Sequence, residues 1–294
     1  MIKRSIIFMT LALALTTLCQ AQSRKVINLL SWDFSRDGKA WQQVAVPHDW
    51  AISGPFDKKW DLQMVAIEQN GETEKTEKSG RSGALPWIGE GMYKMNWTAP
   101  KGYKRAVLVF DGAMSQPVVS VNGKEAGRWA YGYNAFRIDI TPFIQFGKNN
   151  LIEVHLNNVE ESSRWYPGGG LYRPVSVELY GNENFSTWDT FVRTLKADKQ
   201  EAEVEVNALL EGKTGKSGKT IIALLDEAGK KVAEQIVTGA NPEIKTTLKV
   251  ANPQLWSPES PYLYQVKLTR YEGKKVADVQ TLKTGIRTIA VSKE

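Results

Sequence analysis

Thiols, imidazoles and membrane-length apolar runs are scarce in this sequence. Its 294 residues include one cysteine, Cys19, and two histidines, His48 and His155. A lone thiol excludes a disulfide framework and a cysteine-rich zinc site. Two imidazoles so far apart do not read as a metal cluster, and neither a metal nor another cofactor is expected. Past the N-terminus no apolar run reaches the roughly 18 residues of a membrane helix, which excludes a polytopic membrane protein. Glycine (24) and proline (12) are too sparse, and aromatics (10%) too frequent, for a disordered chain. Charge of one sign is also weak. The net value of +6 is spread through segments such as 213–219 (KTGKSGK), which read as solvated hairpin loops. Nucleic-acid binding calls for a basic stripe interleaved with aromatics; none occurs, and no nucleic-acid partner is expected.

Tryptophan is what the chain has in excess, at ten residues. Trp32, Trp41, Trp50, Trp60, Trp87, Trp97, Trp129 and Trp165 all fall in the first part of the chain. Trp32 and Trp97 are expected in a core. Trp50, Trp87, Trp129 and Trp165 sit beside turn residues, where an indole pins a loop to a sheet or offers its face to a sugar ring.

The N-terminus reads as an address. A basic start (1–4, MIKR) precedes a short apolar stretch (5–18), and small residues then allow cleavage after Ala21. Residues 1–21 are thus expected to be a signal peptide, with export to the periplasm. Lipidation at Cys19 is the alternative, against which the bulky Leu18 speaks.

Period-two alternation dominates the remainder, with turn residues at short intervals. Strands are predicted over 105–111, 117–121, 136–140, 150–156 and 174–180, and Asn122-Gly123 marks a tight hairpin. The segment 181–184 (GNEN) is a polar break, after which strands are predicted over 203–210, 220–225, 244–250, 262–269 and 275–281. The length admits about two domains at roughly 150 residues each. The fold class is all-β, a jelly-roll sandwich over 22–181 followed by an immunoglobulin-like sandwich over 182–284. The stretch 58–87, with its charged run 68–78, interrupts the strand rhythm and reads as a solvated excursion anchored by Trp60 and Trp87.

The sharpest local pattern is 161–174 (ESSRWYPGGGLYRP), three glycines between two aromatic-arginine pairs. A phosphate cradle needs a helix to follow; here Pro174 and a strand follow, so that reading fails.

With these residues the chain resembles bacterial glycoside hydrolases of family 2, the β-galactosidase group. Val46-Pro47-His48-Asp49-Trp50 resembles an early loop of the family, and Gly80-Arg81-Ser82-Gly83-Ala84-Leu85-Pro86 with Gly91-Met92-Tyr93 a second. Val121-Asn122-Gly123 with Gly132-Tyr133 and Phe136 resembles a third, and Ser163-Arg164-Trp165-Tyr166-Pro167-Gly168-Gly169-Gly170-Leu171-Tyr172-Arg173 a fourth. Leu255-Trp256-Ser257-Pro258 with Pro261-Tyr262-Leu263-Tyr264, then Gly285-Ile286-Arg287, complete the set in the family's order.

The resemblance implies a retaining glycosidase built from a sugar-binding jelly roll, an immunoglobulin-like spacer and a (β/α)8 barrel with both catalytic glutamates. Residues 285–294 then read as the start of that barrel, which is otherwise absent. No catalytic residue is expected here, and Asn182-Glu183 is an interdomain turn. The chain is expected to be the inactive N-terminal portion of an exported β-galactosidase-like enzyme, with the barrel in cis or from a split gene. A stand-alone carbohydrate-binding or scaffolding protein is the alternative. The partner is a β-galactoside-like carbohydrate, and the full-length family suggests a homo-oligomer. The substrate-binding candidates are Asn157, Asn158, Glu160 and Trp165. Asp49, Trp50, Arg164, Tyr166 and Arg173 are expected to support the loops around them.

Overall fold

The computed structural model describes residues 24–60, 62–66, 68–79, 87–159, 166–213 and 218–291, with backbone only at 62–65 and 78–79. The expected signal peptide and Cys19 lie outside the described residues. The ten predicted strands all form, their ends shifted by three residues at most. Among the described residues there is no α-helix and no closed barrel, only strands and short 3-10 turns. No helix of the described residues is long and apolar enough to cross a membrane.

Two antiparallel sheets face each other in the first sandwich. One has the order Lys25–Asn28, Val175–Tyr180, Arg105–Phe110, Phe136–Asp139. The other runs Gln42–Ala45, Ser31–Ser35, Gly89–Thr98, Asn149–Asn158, Val118–Val121, Lys124–Arg128. Neighbours in space come from distant parts of the chain, as a jelly roll requires. Alternation decides which face is buried: in Asn149–Asn158 the even positions from Asn150 to Asn158 point inward and the odd ones do not. Trp32, Tyr93, Leu108, Phe110, Phe136 and Ile152 fill the space between the sheets, and Trp32 and Trp97 are in that core as expected. Asn122 and Gly123 both have positive φ, +52° and +77°, the geometry of a two-residue hairpin. The Asn122 side chain adds three bonds of its own, donating to the Phe143 carbonyl and to Asn150 and accepting from Leu151 N–H.

The second sandwich pairs Glu201–Gly212 with Glu183–Phe185, Phe191–Ala197 and Glu243–Ala251. The facing sheet has the order Lys231–Thr238, Gly218–Leu225, Tyr264–Glu272, Lys275–Thr284. Val204, Val206, Ile222, Leu224, Leu248, Val266 and Leu268 form its core.

The polar break at 181–184 is corrected. Glu183–Phe185 is a strand buried along its whole length. Glu183 and Arg270 are each about 1% exposed and pair through two bonds, Nε to Oε2 at 2.7 Å and Nη2 to Oε1 at 3.0 Å. Arg270 also donates to Thr220 and to the Gly239 carbonyl. Gly218 makes room for the guanidinium, since a Cβ there would lie 1.8 Å from Nη2. The segment read as a break and a turn because the charge that neutralises Glu183 is 87 positions away. The excursion at 58–87 is corrected too. It holds a ribbon of Leu62–Val65 with Thr76–Ser79, in a stretch whose charges and polar residues leave no alternating apolar face to read. The charges of 68–77 are mostly exposed, as expected.

Three arginines of the first sandwich reach the second. Arg24 donates to the Phe185 carbonyl at 2.6 Å and to Asp278 at 3.3 Å, with its guanidinium over the Tyr180 ring. Phe185 N–H donates to the same Asp278 oxygen at 2.8 Å, and burial pushes that carboxyl above its ordinary range. Arg105 pairs with Glu211, and Arg137 lies over the Trp188 ring.

Two stability predictions follow from the second sandwich. Glu183→Gln leaves Arg270 buried and uncompensated, and is expected to cost about 3–5 kcal/mol in urea unfolding. An unchanged midpoint would contradict the pairing. Asn207, Arg193 and Lys245 hold the Glu205 carboxyl down at about 2, from an ordinary 4.5. A depressed carboxylate stabilises the fold above the unfolded value and loses that effect as pH falls through the folded one. Thermal midpoints are therefore expected to fall between pH 4.5 and about 2, and Glu205→Gln to flatten that fall.

Candidate functional site

The turn at 48–50 and the glycine loop at 168–171 are bound together at one end of the first sandwich. His48 N–H donates to the Leu171 carbonyl at 2.7 Å, and Trp50 N–H to the Gly169 carbonyl at 3.0 Å. Asp49 caps the 3-10 turn Trp50–Ser53. Its Oδ1 accepts from Ala51 N–H and from Gly169 N–H, both at 2.9 Å, and its Oδ2 accepts from the Tyr166 hydroxyl. One carboxylate thus starts a turn, holds a loop and fixes a phenol. Burial and the Asp49 hydrogen bond push the Tyr166 phenol well above its ordinary range.

Trp50 is the floor of this arrangement. Its indole is fully buried, stacked near Phe34 and Tyr93 and tilted against Trp87. A Cβ on Gly169 would lie 2.4 Å from Trp50 Nε1, so no larger residue fits over the ring. Gly170 has φ +102°, and a Cβ there would meet the Tyr93 hydroxyl at 2.3 Å. Gly170 also exchanges two backbone bonds with Met114. The Tyr93 hydroxyl lies 2.7 Å from His48 Nδ1 and accepts from Leu171 N–H at 3.4 Å. Burial lowers the His48 pKa, which favours a neutral ring hydrogen-bonded through Nδ1 to the Tyr93 hydroxyl.

The structure gathers most of the expected site residues here. Asn158 is buried, and its Nδ2 donates to the Gly168 carbonyl at 2.8 Å. Asn158 Oδ1 and Trp50 Nε1 have no hydrogen-bond partner among the described residues. Asn157 is half-buried, and its backbone is doubly bonded to Ser115. Tyr166 is exposed at the rim. Arg173 donates to the carbonyls of Asp111 and Tyr133, while the Tyr172 hydroxyl donates to the Gly132 carbonyl. Glu160, Arg164 and Trp165 lie outside the described residues, as does the 80–86 motif. His48, Tyr93 and Met114 belong to the same assembly and were not singled out. His48 stood inside a recognised motif, whereas Met114 carried no signal.

Chemically, this is a rigid rim of amides and a phenol over an aromatic floor, suited to hydrogen-bonding a polar ligand. Among the described residues no group of His, Cys, Asp or Glu could hold a metal. Among the described residues the buried carboxylates lie in the second sandwich, Glu183 on Arg270, Glu205 on Arg193 and Lys245, and Asp278 on Arg24.

Comparison with known proteins gives a consistent result. Residues 186–287 match the model of glycosyl hydrolases family 2. A β-galactosidase of Bacteroides ovatus, BoGH2A, is 31% identical over 261 residues, covering 85% of this chain and 29% of that protein. A β-glucuronidase of Formosa agariphila is 25% identical over 292 residues, 89% of this chain and 28% of its own length. The crystal structure of a glycosyl hydrolase family 2 member from Bacteroides cellulosilyticus superposes with a TM-score of 0.75 at 31% identity, covering 92% of this chain and 36% of that one. By sequence and fold the chain is therefore related to glycoside hydrolase family 2. It spans about a quarter to a third of the length of these curated relatives.

The clamp is open to test by substitution. Gly169→Ala is expected to cost about 1–3 kcal/mol by forcing the Trp50 indole aside, and Asp49→Ala about 1–2 kcal/mol by removing the cap. Because both loosen one loop, the double variant should lose less than the sum. Urea unfolding measures all three, and full additivity would mean the two residues act apart.

Proposed function

We propose that this chain is the N-terminal, sugar-facing portion of an exported retaining β-glycosidase, in specificity a β-galactosidase acting on O-glycosyl bonds of oligo- or polysaccharides. Retaining hydrolysis needs two carboxyl groups about 5–5.5 Å apart across the anomeric carbon. The reading assigns both to a (β/α)8 barrel supplied in cis or by a separate gene. The observation that carries it is the clamped glycine loop, which fixes Asn158 and Tyr166 at the rim of a jelly roll related to that of a β-galactosidase, with Asn157 next to Asn158 on the same strand. Among the described residues, Glu183, Glu205 and Asp278 are each held by an arginine or lysine partner, in keeping with structural roles for these three carboxylates.

In this reading the rim orients a terminal sugar. Amide and phenol groups hydrogen-bond ring hydroxyls, and their immobility limits the entropy lost on binding. Asn157 and Tyr166 are the residues with side chains open to such a ligand, and Asp49 positions Tyr166. Glu160 and Trp165, from the flanking segment, are proposed to complete the subsite.

The purified chain is expected to release no 4-nitrophenol from the β-galactoside or the β-glucuronide. It should bind lactose weakly, and Tyr166→Phe together with Asn157→Ala should weaken that binding about tenfold, near 1.4 kcal/mol. Turnover lost on replacing a carboxylate of this chain would overturn the assignment, as would lactose binding indifferent to both substitutions.

A further inference from the structure

We propose that the outer face of the six-stranded sheet carries a second carbohydrate subsite, centred on Trp41 and built for a neutral, extended glycan. This rests on the carbohydrate reading above but uses different residues. Trp41 lies just before the edge strand Gln42–Ala45, half-buried, with its Nε1 donating to the Gly38 carbonyl at 3.1 Å. Lys94 Nζ sits 3.7 Å from the ring centroid. The ring is therefore fixed before any ligand arrives.

Two hollows share Trp41 as a wall. The one on the sheet, about 340 Å³, is also lined by Met92, Ser120, Glu153 and His155. The other, about 590 Å³, is lined by Arg36, Asp37, Gln42 and Ser53 among others. The strand register explains why the first set meets. Glu153 stands opposite both Lys94 and Ser120, and His155 opposite Met92, so these outward positions of three adjacent strands share one face. Neighbouring strands are about 4.8 Å apart, close to the advance of one pyranose in an extended chain. His155 is oriented by Glu90, Nε2 to Oε2 at 3.2 Å.

The chemistry of this face selects the ligand. A fixed indole offers an apolar wall to the C–H face of a sugar ring, and hydroxyl, carboxylate, imidazole and ammonium groups beside it serve ring hydroxyls. The charges are mixed: Lys94 stands between Glu153 and Asp33 in register, and His155 is tied to Glu90. Such a face gives no net attraction for a uronate or a sulfated chain, and it suits a neutral one. Ser53, the last residue of the turn that Asp49 caps, is also among the residues lining the larger hollow. That shared turn places the hollow beside the element from which the clamped rim is built, so the outer units of a chain bind here while its terminal sugar sits at the rim.

The full chain should be titrated calorimetrically with β-1,4-galactopentaose, cellopentaose and laminaripentaose, and with pentagalacturonate as the charged probe. At least one neutral pentasaccharide is expected to bind in the millimolar range or tighter, and pentagalacturonate about tenfold more weakly. Trp41→Ala should reduce that binding about tenfold, whereas Trp41→Phe keeps most of it. Glu153→Gln should weaken it severalfold. Thermal unfolding of each variant verifies its fold, and Trp41→Phe with Glu153→Gln suffices if the alanine variant does not fold. Binding that survives both Trp41→Ala and Glu153→Gln but is lost in Tyr166→Phe would overturn this subsite and leave the rim reading intact. No binding by any neutral pentasaccharide would also overturn it, while lactose binding at the rim tests the other reading separately.

Discussion

Burial of one indole sets the shape of the rim. Trp50 can lie flat between the sandwich and the glycine loop only because the residue above it has no side chain. The loop can stay there only because Asp49 draws its N–H groups and the Tyr166 hydroxyl to one carboxylate. Apolar contact supplies attraction without direction, and the hydrogen bonds supply direction. Neither alone would hold a loop with this much conformational freedom. The amide of Asn158 inherits its position from that balance, since it closes the strand and donates to the loop.

The second sandwich uses charge where the first uses aromatic packing. A buried strand at the end of one of its sheets carries a carboxylate that meets arginine through two parallel bonds, with a hydroxyl and a carbonyl accepting two further ones. Such pairing is what makes buried charge tolerable. Around it, Arg24, Arg105 and Arg137 bring cations from the first sandwich to acceptors and an aromatic face of the second. The two units therefore meet through directional contacts, which fix an angle more closely than apolar contact of similar area.

Strand positions were legible because alternation reports directly on which face is buried, as along Asn149–Asn158. The Asn122-Gly123 turn was legible because few other pairs tolerate positive φ twice. Segments that failed were those where polarity and exposure part company. Glu183 read as part of a turn because its partner lies in a distant strand, and Thr76–Ser79 pairs without an apolar face to announce it. The motifs containing Asp49, Trp50 and Gly168–Gly170 pointed to an important loop. That the two motifs bind each other is a tertiary fact, and Tyr93 and Met114 enter the assembly only through the fold that brings them there.

The Glu183–Arg270 pair also bears on how such proteins can be recombined. Glu183 follows the last strand of the jelly roll by three positions, so a cut made by eye at the end of the linker would assign it to the first unit. Its guanidinium partner, and the glycine that accommodates it, belong to the second. A chimaera joined after residue 183 would carry an arginine inherited from one parent and depend on the other for its counter-ion. A crossover between 180 and 182 keeps the trio from a single parent, leaving only the surface arginines to be matched. Modular exchange within this architecture is thus governed by a boundary at the front of the polar segment 181–184, where the two units were divided, and not at its end.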